Sequence, residues 1–239
     1  MGPGGRLDRT HRAEEAIKEC SVIVGYKRYL DNVSDITKGK ELISSGMTKE
    51  TDRCRIALTR AGGGETVGLI SSGDAGIYGM AGLAFELAKE DSLSVPIEVV
   101  PGVTAASAAA SRLGAPLMLD FASISLSDLL VPWETIKKRV EAVAGADLTC
   151  ALYNPRSKKR VNQLIETAEI FRHYRKPGTP VGVCTSVGYD GEEKIILTDL
   201  DNFLKEDIGM MTVVIIGNND SMTIDERFVT PRGYRGKRF

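Results

Sequence analysis

The sequence predicts an α/β fold in two domains, and three observations carry that prediction. Short apolar runs that read as buried strands alternate with helical patterns as far as about residue 120. Some of these runs break directly into glycine-rich turns that open a helix, the place where open α/β sheets hold small ligands. The 239 residues, 42% apolar and 26% charged, have the composition of a soluble globular chain with room for two modest domains. The rhythm breaks at Phe121 to Trp133, which gives an N-terminal domain over 1–120 and a C-terminal domain over 121–239.

Gly2-Pro3-Gly4-Gly5 is a tight turn signal. Such a turn normally leaves a strand, and here only Met1 precedes it, so either the sequence starts late or the first sheet does without that strand. A helix follows through His11 to Cys20, then Ser21 to Gly25 (SVIVG) as a buried strand. Gly25 to Tyr29 sets Lys27 and Arg28 beside two tyrosines, either as a solvated loop or as a substrate contact. Thr48 to Ala61 has the pattern of an amphipathic helix, stopped by Gly62-Gly63-Gly64.

Val67 to Ile70 reads as the next strand. It breaks into Ser71-Ser72-Gly73-Asp74-Ala75-Gly76, and a helix marked by Met80, Leu83, Ala84, Leu87 and Ala88 follows. The glycines let a ligand approach the main chain. A carboxylate at Asp74 would repel a phosphate but accept hydrogen bonds from an ammonium or a sugar hydroxyl. The loop alone leaves a helix-capping role for Asp74 equally open. Ile97 to Val100 is expected as a further strand. Pro101-Gly102-Val103-Thr104 then turns into a helix of small residues, Ala105 to Ser111, ended by Gly114 and Pro116. Thr104 either caps that helix or turns its hydroxyl outward.

The stretch from Phe121 to Trp133 reads as a connection, and Glu134 to Val143 as a helix. Leu148 to Tyr153 is a strand that runs into Asn154-Pro155-Arg156-Ser157-Lys158-Lys159-Arg160. Val161, Leu164, Ile165, Ala168 and Phe171 mark a helix face. Val181 to Thr185 is a strand ending at Ser186-Val187-Gly188, and Asp190-Gly191 turns a hairpin into Lys194 to Thr198. A short helix over Asp201 to Asp207 and a strand over Met210 to Ile216 complete the pattern. Arg232, Arg235, Lys237 and Arg238 form a basic tail.

Composition excludes several functions. The net charge of −1 gives no global basis for nucleic-acid binding. Cys20, Cys54, Cys150 and Cys184 are scattered, as buried free thiols of a reducing compartment are. No apolar run reaches membrane-spanning length and no signal-peptide core is read, so a cytoplasmic protein is expected. His11 and His173 make neither a zinc site nor a triad. Walker A, G-x-G-x-x-G, Cys-x-x-Cys and G-x-S-x-G patterns are absent.

What remains is an ordered set of loops, and in that set the chain resembles the tetrapyrrole (corrin/porphyrin) methylases over nearly its full length. The carrying residues are Gly2-Pro3-Gly4, Val24-Gly25-Tyr26, Ser71 to Met80, Pro101 to Ala105, Ile124 to Leu130, Tyr153 to Ser157 and Thr212 to Gly217. Gly-Asp-Ala-Gly-Ile-Tyr, Ile-Ser-Leu-Ser-Asp and Tyr-Asn-Pro-x-Ser are similar to the branch that methylates C17 of precorrin-3B or cobalt-factor III. In one respect the chain departs: the family leads into its Gly-Pro-Gly turn with an apolar strand.

The resemblance implies two α/β domains with mixed, largely parallel sheets, a cofactor cleft between them, and a homodimer. It implies that S-adenosylmethionine is the methyl donor, leaving S-adenosylhomocysteine. By similarity Pro3, Ser72, Gly73, Asp74, Ile77, Tyr78, Thr104, Ala105, Tyr153, Asn154, Val187 and Gly188 fall at cofactor positions. It also implies methyl transfer to C17 with ring contraction, in corrin-ring (cobalamin) biosynthesis. A tetrapyrrole bears many carboxylates, so cations should rim its site, with Lys27, Arg28, Arg156 and Lys158 as candidates. Tyr78 and Ser72 stand in the right loop, but no residue is assigned as general acid or base. A sister methylase for another ring carbon, or a cofactor-binding protein impaired in catalysis, is the alternative.

Overall fold

A computed structural model of the chain describes residues 1–46 and 49–234. Thr48, where the amphipathic helix was expected to start, and Arg235, Lys237 and Arg238 of the basic tail lie outside the described residues. The chain divides into two compact units, Met1–Ala105 and Ala106–Phe239.

The first unit contains α1 (His11–Glu19), β1 (Val22–Tyr26), α2 (Lys27–Asp31), β2 (Glu41–Ser45), α3 (Glu50–Gly62), β3 (Val67–Leu69) and α4 (Ala81–Glu90). Thr10 caps α1, its hydroxyl accepting the Ala13 N–H at 3.2 Å. The strands form a parallel sheet in the order β2-β1-β3. Central β1 is buried on both faces, which is why it reads as a continuous apolar run. Alternate side chains serve opposite layers: Ile23 packs with Ile17, Leu30 and Ile70, while Val22 and Val24 pack with Ala57. Edge strand β2 (ELISS) is mostly exposed and polar, and its pattern escaped the sequence.

Two expectations for this unit are corrected. Lys27 to Tyr29 is no loop but the start of α2, braced by a Lys27–Asp31 pair at 3.0 Å one turn apart. Tyr26 and Tyr29 meet edge to face at 5.4 Å. Ile97 to Val100 forms no strand. A strand requires a hydrogen-bonded neighbour, and among the described residues none pairs with residues 95–100. A cavity of about 410 Å³ is lined instead by Val67 to Ser71 and Val95 to Val100.

The second unit takes up α5 (Ala105–Leu113), then β4 (Gly114–Ala115), β5 (Phe121–Ser125), α6 (Trp133–Gly145), β6 (Thr149–Tyr153), α7 (Asn162–Tyr174), β7 (Pro180–Thr185), β8 (Lys194–Asp199), β9 (Thr212–Ile216), β10 (Met222–Ile224) and β11 (Arg227–Val229). Its main sheet is mixed, in the order β5-β6-β9-β7-β8, with β5 parallel to β6 and the other pairs antiparallel. Ile136, Val140, Leu164 and Phe171 from α6 and α7 cover it, against Leu152, Val183 and Val214. A small sheet, β10-β11-β4, completes the unit.

The connection expected from Phe121 to Trp133 opens as strand β5. As an edge strand with serines at 123 and 125 it lacks the apolar density that identified β6. The helix expected over Asp201 to Asp207 is a single 3-10 turn, Phe203–Lys205. The four cysteines are free and buried.

Candidate functional site

Three turns of the first unit are tied into one cluster. Gly2 and Gly73 exchange main-chain hydrogen bonds, Gly2 N–H to Gly73 O at 3.1 Å and Gly73 N–H to Gly2 O at 2.7 Å. The Ser72 hydroxyl donates to the Pro3 carbonyl at 3.2 Å. Asp74 closes the third side: one carboxylate oxygen accepts the Gly76 N–H at 2.8 Å, the other the Gly102 N–H at 2.9 Å. Asp74 is therefore no cap of α4, whose N-cap is Met80 without a side-chain bond. It is a half-buried carboxylate that braces its own turn and clasps the Pro101 to Thr104 turn.

Glycine is required at Gly73 and at Gly102. Gly73 has φ +66. At Gly102 a Cβ would fall 2.2 Å from the Gly73 carbonyl oxygen. Pro3, Ser72, Gly73, Asp74, Thr104 and Ala105, expected together from the family resemblance, belong to one corner of the first unit. Ile77 and Tyr78 stand exposed beyond Asp74, and Tyr78 holds φ +54.

The second unit presents its loops at one sheet edge. Strands β5, β6 and β7 run the same way, so the turns after Ser125, Tyr153 and Thr185 leave the same edge. β9 separates β6 from β7, which puts those two turns about two strand spacings, ~9.6 Å, apart. The Tyr153 hydroxyl accepts the Ala106 N–H at 2.8 Å and so satisfies a donor in the first turn of α5. Asn154 holds φ +48, and its Nδ2 donates to Ser125 Oγ at 3.0 Å. Ser186 (φ +49) and Gly188 (φ +79) shape the turn after β7, where Val187 is buried. The Gly188 N–H donates to Glu193 at 2.6 Å. Left-handed non-glycine residues are costly and gather at functional sites, and Tyr78, Asn154 and Ser186 all stand in or beside predicted loops.

The candidate cations separate. Exposed Lys27 is engaged with Asp31, and half-buried Arg28 follows it on α2. Arg156 and Lys158 lie on the loop after Asn154 without an ion-pair partner among the described residues. The sequence reading passed over Arg160, the last cation of that run, which is buried with only 7% exposure. Burial holds its guanidinium below the usual arginine range, against the opposing charge of Asp128. In sequence it is one of a cluster of basic residues, which reads as solvated surface. Among the described residues no group of acidic, cysteine or histidine side chains forms a metal site.

The profile of the Tetrapyrrole (Corrin/Porphyrin) Methylases matches residues 1–203. The chain belongs to this family. A cobalt-factor III methyltransferase of Priestia megaterium is 45% identical over 241 residues, covering 99% of this chain and 44% of that one. A probable cobalt-factor III C(17)-methyltransferase of Salmonella typhimurium is 46% identical, covering 98% and 97%. The chain thus spans less than half of the first relative and nearly all of the second. Among solved structures, the methyltransferase CobJ superposes with a TM-score of 0.88 at 36% identity, covering 96% of each chain. The methylase fold accounts for both units as described.

Proposed function

We propose that this chain is a C-methyltransferase that transfers a methyl group from S-adenosylmethionine to C17 of a cobalt-factor III or precorrin-3B type tetrapyrrole in cobalamin biosynthesis. The observation that carries the proposal is the Asp74 cluster, which welds Gly-Pro-Gly, Gly-Asp and Pro-Gly-Val-Thr elements into one corner. Support comes from the 46% identity, across nearly the whole length of both chains, to a relative named for C17 methylation. Ring contraction and a homodimeric, cytoplasmic state belong to the same proposal, on the family resemblance.

The residues fit such a donor. Asp74 uses one acceptor position on each oxygen for Gly76 and Gly102, and a carboxylate has about four. The remaining positions suit an ammonium or a ribose hydroxyl and would repel phosphate. Pro3, Ser72, Gly73, Ile77, Tyr78, Thr104 and Ala105 would line the donor with Asp74. Tyr153, Asn154, Val187 and Gly188 are proposed as further donor contacts. S-adenosylmethionine, when bound, supplies a methyl already activated on a sulfonium. The chain's own task is then to orient donor and acceptor and exclude water, which is worth roughly 7–11 kcal/mol in well-aligned reactions. Arg156 and Lys158, with Lys27 and Arg28, would meet the substrate's carboxylates.

The test is turnover. Purified protein with S-adenosylmethionine should add one methyl group to cobalt-factor III or precorrin-3B under reducing conditions, read by mass spectrometry and placed at C17 by NMR. Methylation of another ring carbon would make it a sister methylase. Donor binding without turnover on any precorrin would leave a cofactor-binding protein.

A further inference from the structure

Arg160 links the two stretches that follow β5 and β6. Its Nη2 donates to the Asn154 carbonyl at 2.6 Å and its Nη1 reaches Ser127 Oγ at 3.4 Å. The 154–160 loop folds back to make this possible: the Ser157 N–H donates to Arg160 O at 3.0 Å, and the Arg160 N–H to Ser157 Oγ at 3.1 Å. Ser125 joins the same network through Asn154 Nδ2, and its Oγ also accepts the Ser127 N–H at 3.3 Å.

This network is odd for a structural arginine. No carboxylate pairs with Arg160 among the described residues, and its Nε is buried without a partner. The nearby Asp128 is held instead by Gln163, at 2.7 Å. An unpaired buried charge is expensive, so evolution of a merely stable loop would favour an apolar residue there. The Arg160 guanidinium is spent on one peptide and one hydroxyl, and that peptide is strained. Asn154 has φ +48 immediately before Pro155, whose ring favours an extended residue in front of it.

We propose that Arg160 is a positioning residue: it holds the left-handed Asn154 peptide and the Ser125–Ser127 turn in the arrangement that receives the methyl donor. This rests on the donor reading given above.

The experiment uses the full chain with Arg160→Met and Arg160→Lys, each also in an Asn154→Gly background. Three quantities are read: the thermal unfolding midpoint, the rate of trypsin cleavage after Arg156, Lys158 or Lys159, and the affinity for S-adenosylhomocysteine by calorimetry. Arg160→Met should speed cleavage and weaken binding at least about tenfold, 1.4 kcal/mol, at temperatures where the variant remains folded. Lys, which still reaches one acceptor, should restore part of both. Glycine adopts φ > 0 freely, so the Met penalty on binding should shrink in the Asn154→Gly background. Unchanged cleavage would overturn the proposal, as would unchanged affinity or an equal penalty in both backgrounds. If the wild type itself fails to bind, the donor reading falls, and with it Arg160's role toward a donor. The cleavage rates then still decide whether Arg160 holds the loop.

Discussion

The main-chain oxygen of Gly73 lies 2.2 Å from where a Cβ on Gly102 would stand, so the two turns touch backbone to backbone. The contact admits no side chain. Gly102→Ala should therefore force the Pro101 to Thr104 turn away from the Gly73 loop, at a cost of about 1–3 kcal/mol. A urea titration should show the loss of stability, and calorimetry should show donor affinity falling with it.

Asp74 combines a brace with a charge, and two substitutions separate them. Asp74→Asn keeps an oxygen acceptor for only one of the two N–H groups and turns its amide nitrogen to the other, so the unfolding midpoint should fall less than in Asp74→Ala while affinity for S-adenosylhomocysteine falls about tenfold or more. Asp74→Ala leaves the Gly76 and Gly102 N–H groups without their acceptor. It should also lower stability by about 1–3 kcal/mol, through the half-buried Gly102 N–H, since Gly76 is exposed to water. Equal donor affinity in wild type and Asn variant would remove the charge from the site.

Arg175 is the structural counterpart of Arg160. Its side chain is wholly buried and pairs with Asp147 at 2.9 Å. It also donates to the carbonyls of Ala144 at 2.7 Å and of Leu148 and Gly217 at 3.3 Å. Arg175→Met leaves the Ala144, Leu148 and Gly217 carbonyls without their donor while the partly exposed Asp147 stays hydrated, so it should lose about 1–3 kcal/mol or more. The urea midpoint should fall without a change in m, and the loss should not depend on whether donor is present.

Burial raises the thiols of Cys150 and Cys184 from 9.0 to about 12. The folded chain keeps these protons when the unfolded chain has shed them. Their contribution is complete below pH 9 and is lost as pH rises from 9 toward 12. The thermal midpoint should thus decline above about pH 9, and less steeply in Cys150→Ala than in wild type. Native protein should resist iodoacetamide at all four cysteines and label fully in denaturant.

Where a strand is central and buried, its sequence shows it. SVIVG, LTCALY and MMTVVII are dominated by apolar residues because β1, β6 and β9 are covered on both faces. Edge strands β2 and β5 mix serine and charge with apolar residues and did not stand out. IEVV has the composition of a strand, but pairing depends on a neighbour that local pattern does not encode. The site was legible through its glycines and Asp74, since close backbone approach permits few residue types. Arg160 was not, because Lys158 and Arg160 look alike along a chain while one is exposed and the other buried.

The position of β9 bears on how the second unit comes into being. It lies between β6 and β7, yet both neighbours precede it in the chain. During translation those two strands leave the ribosome with no bond between them and wait for residues 212–216. Until then each exposes an open edge to its surroundings. Closure by so late a strand raises the sequence separation of the contacts that complete the sheet.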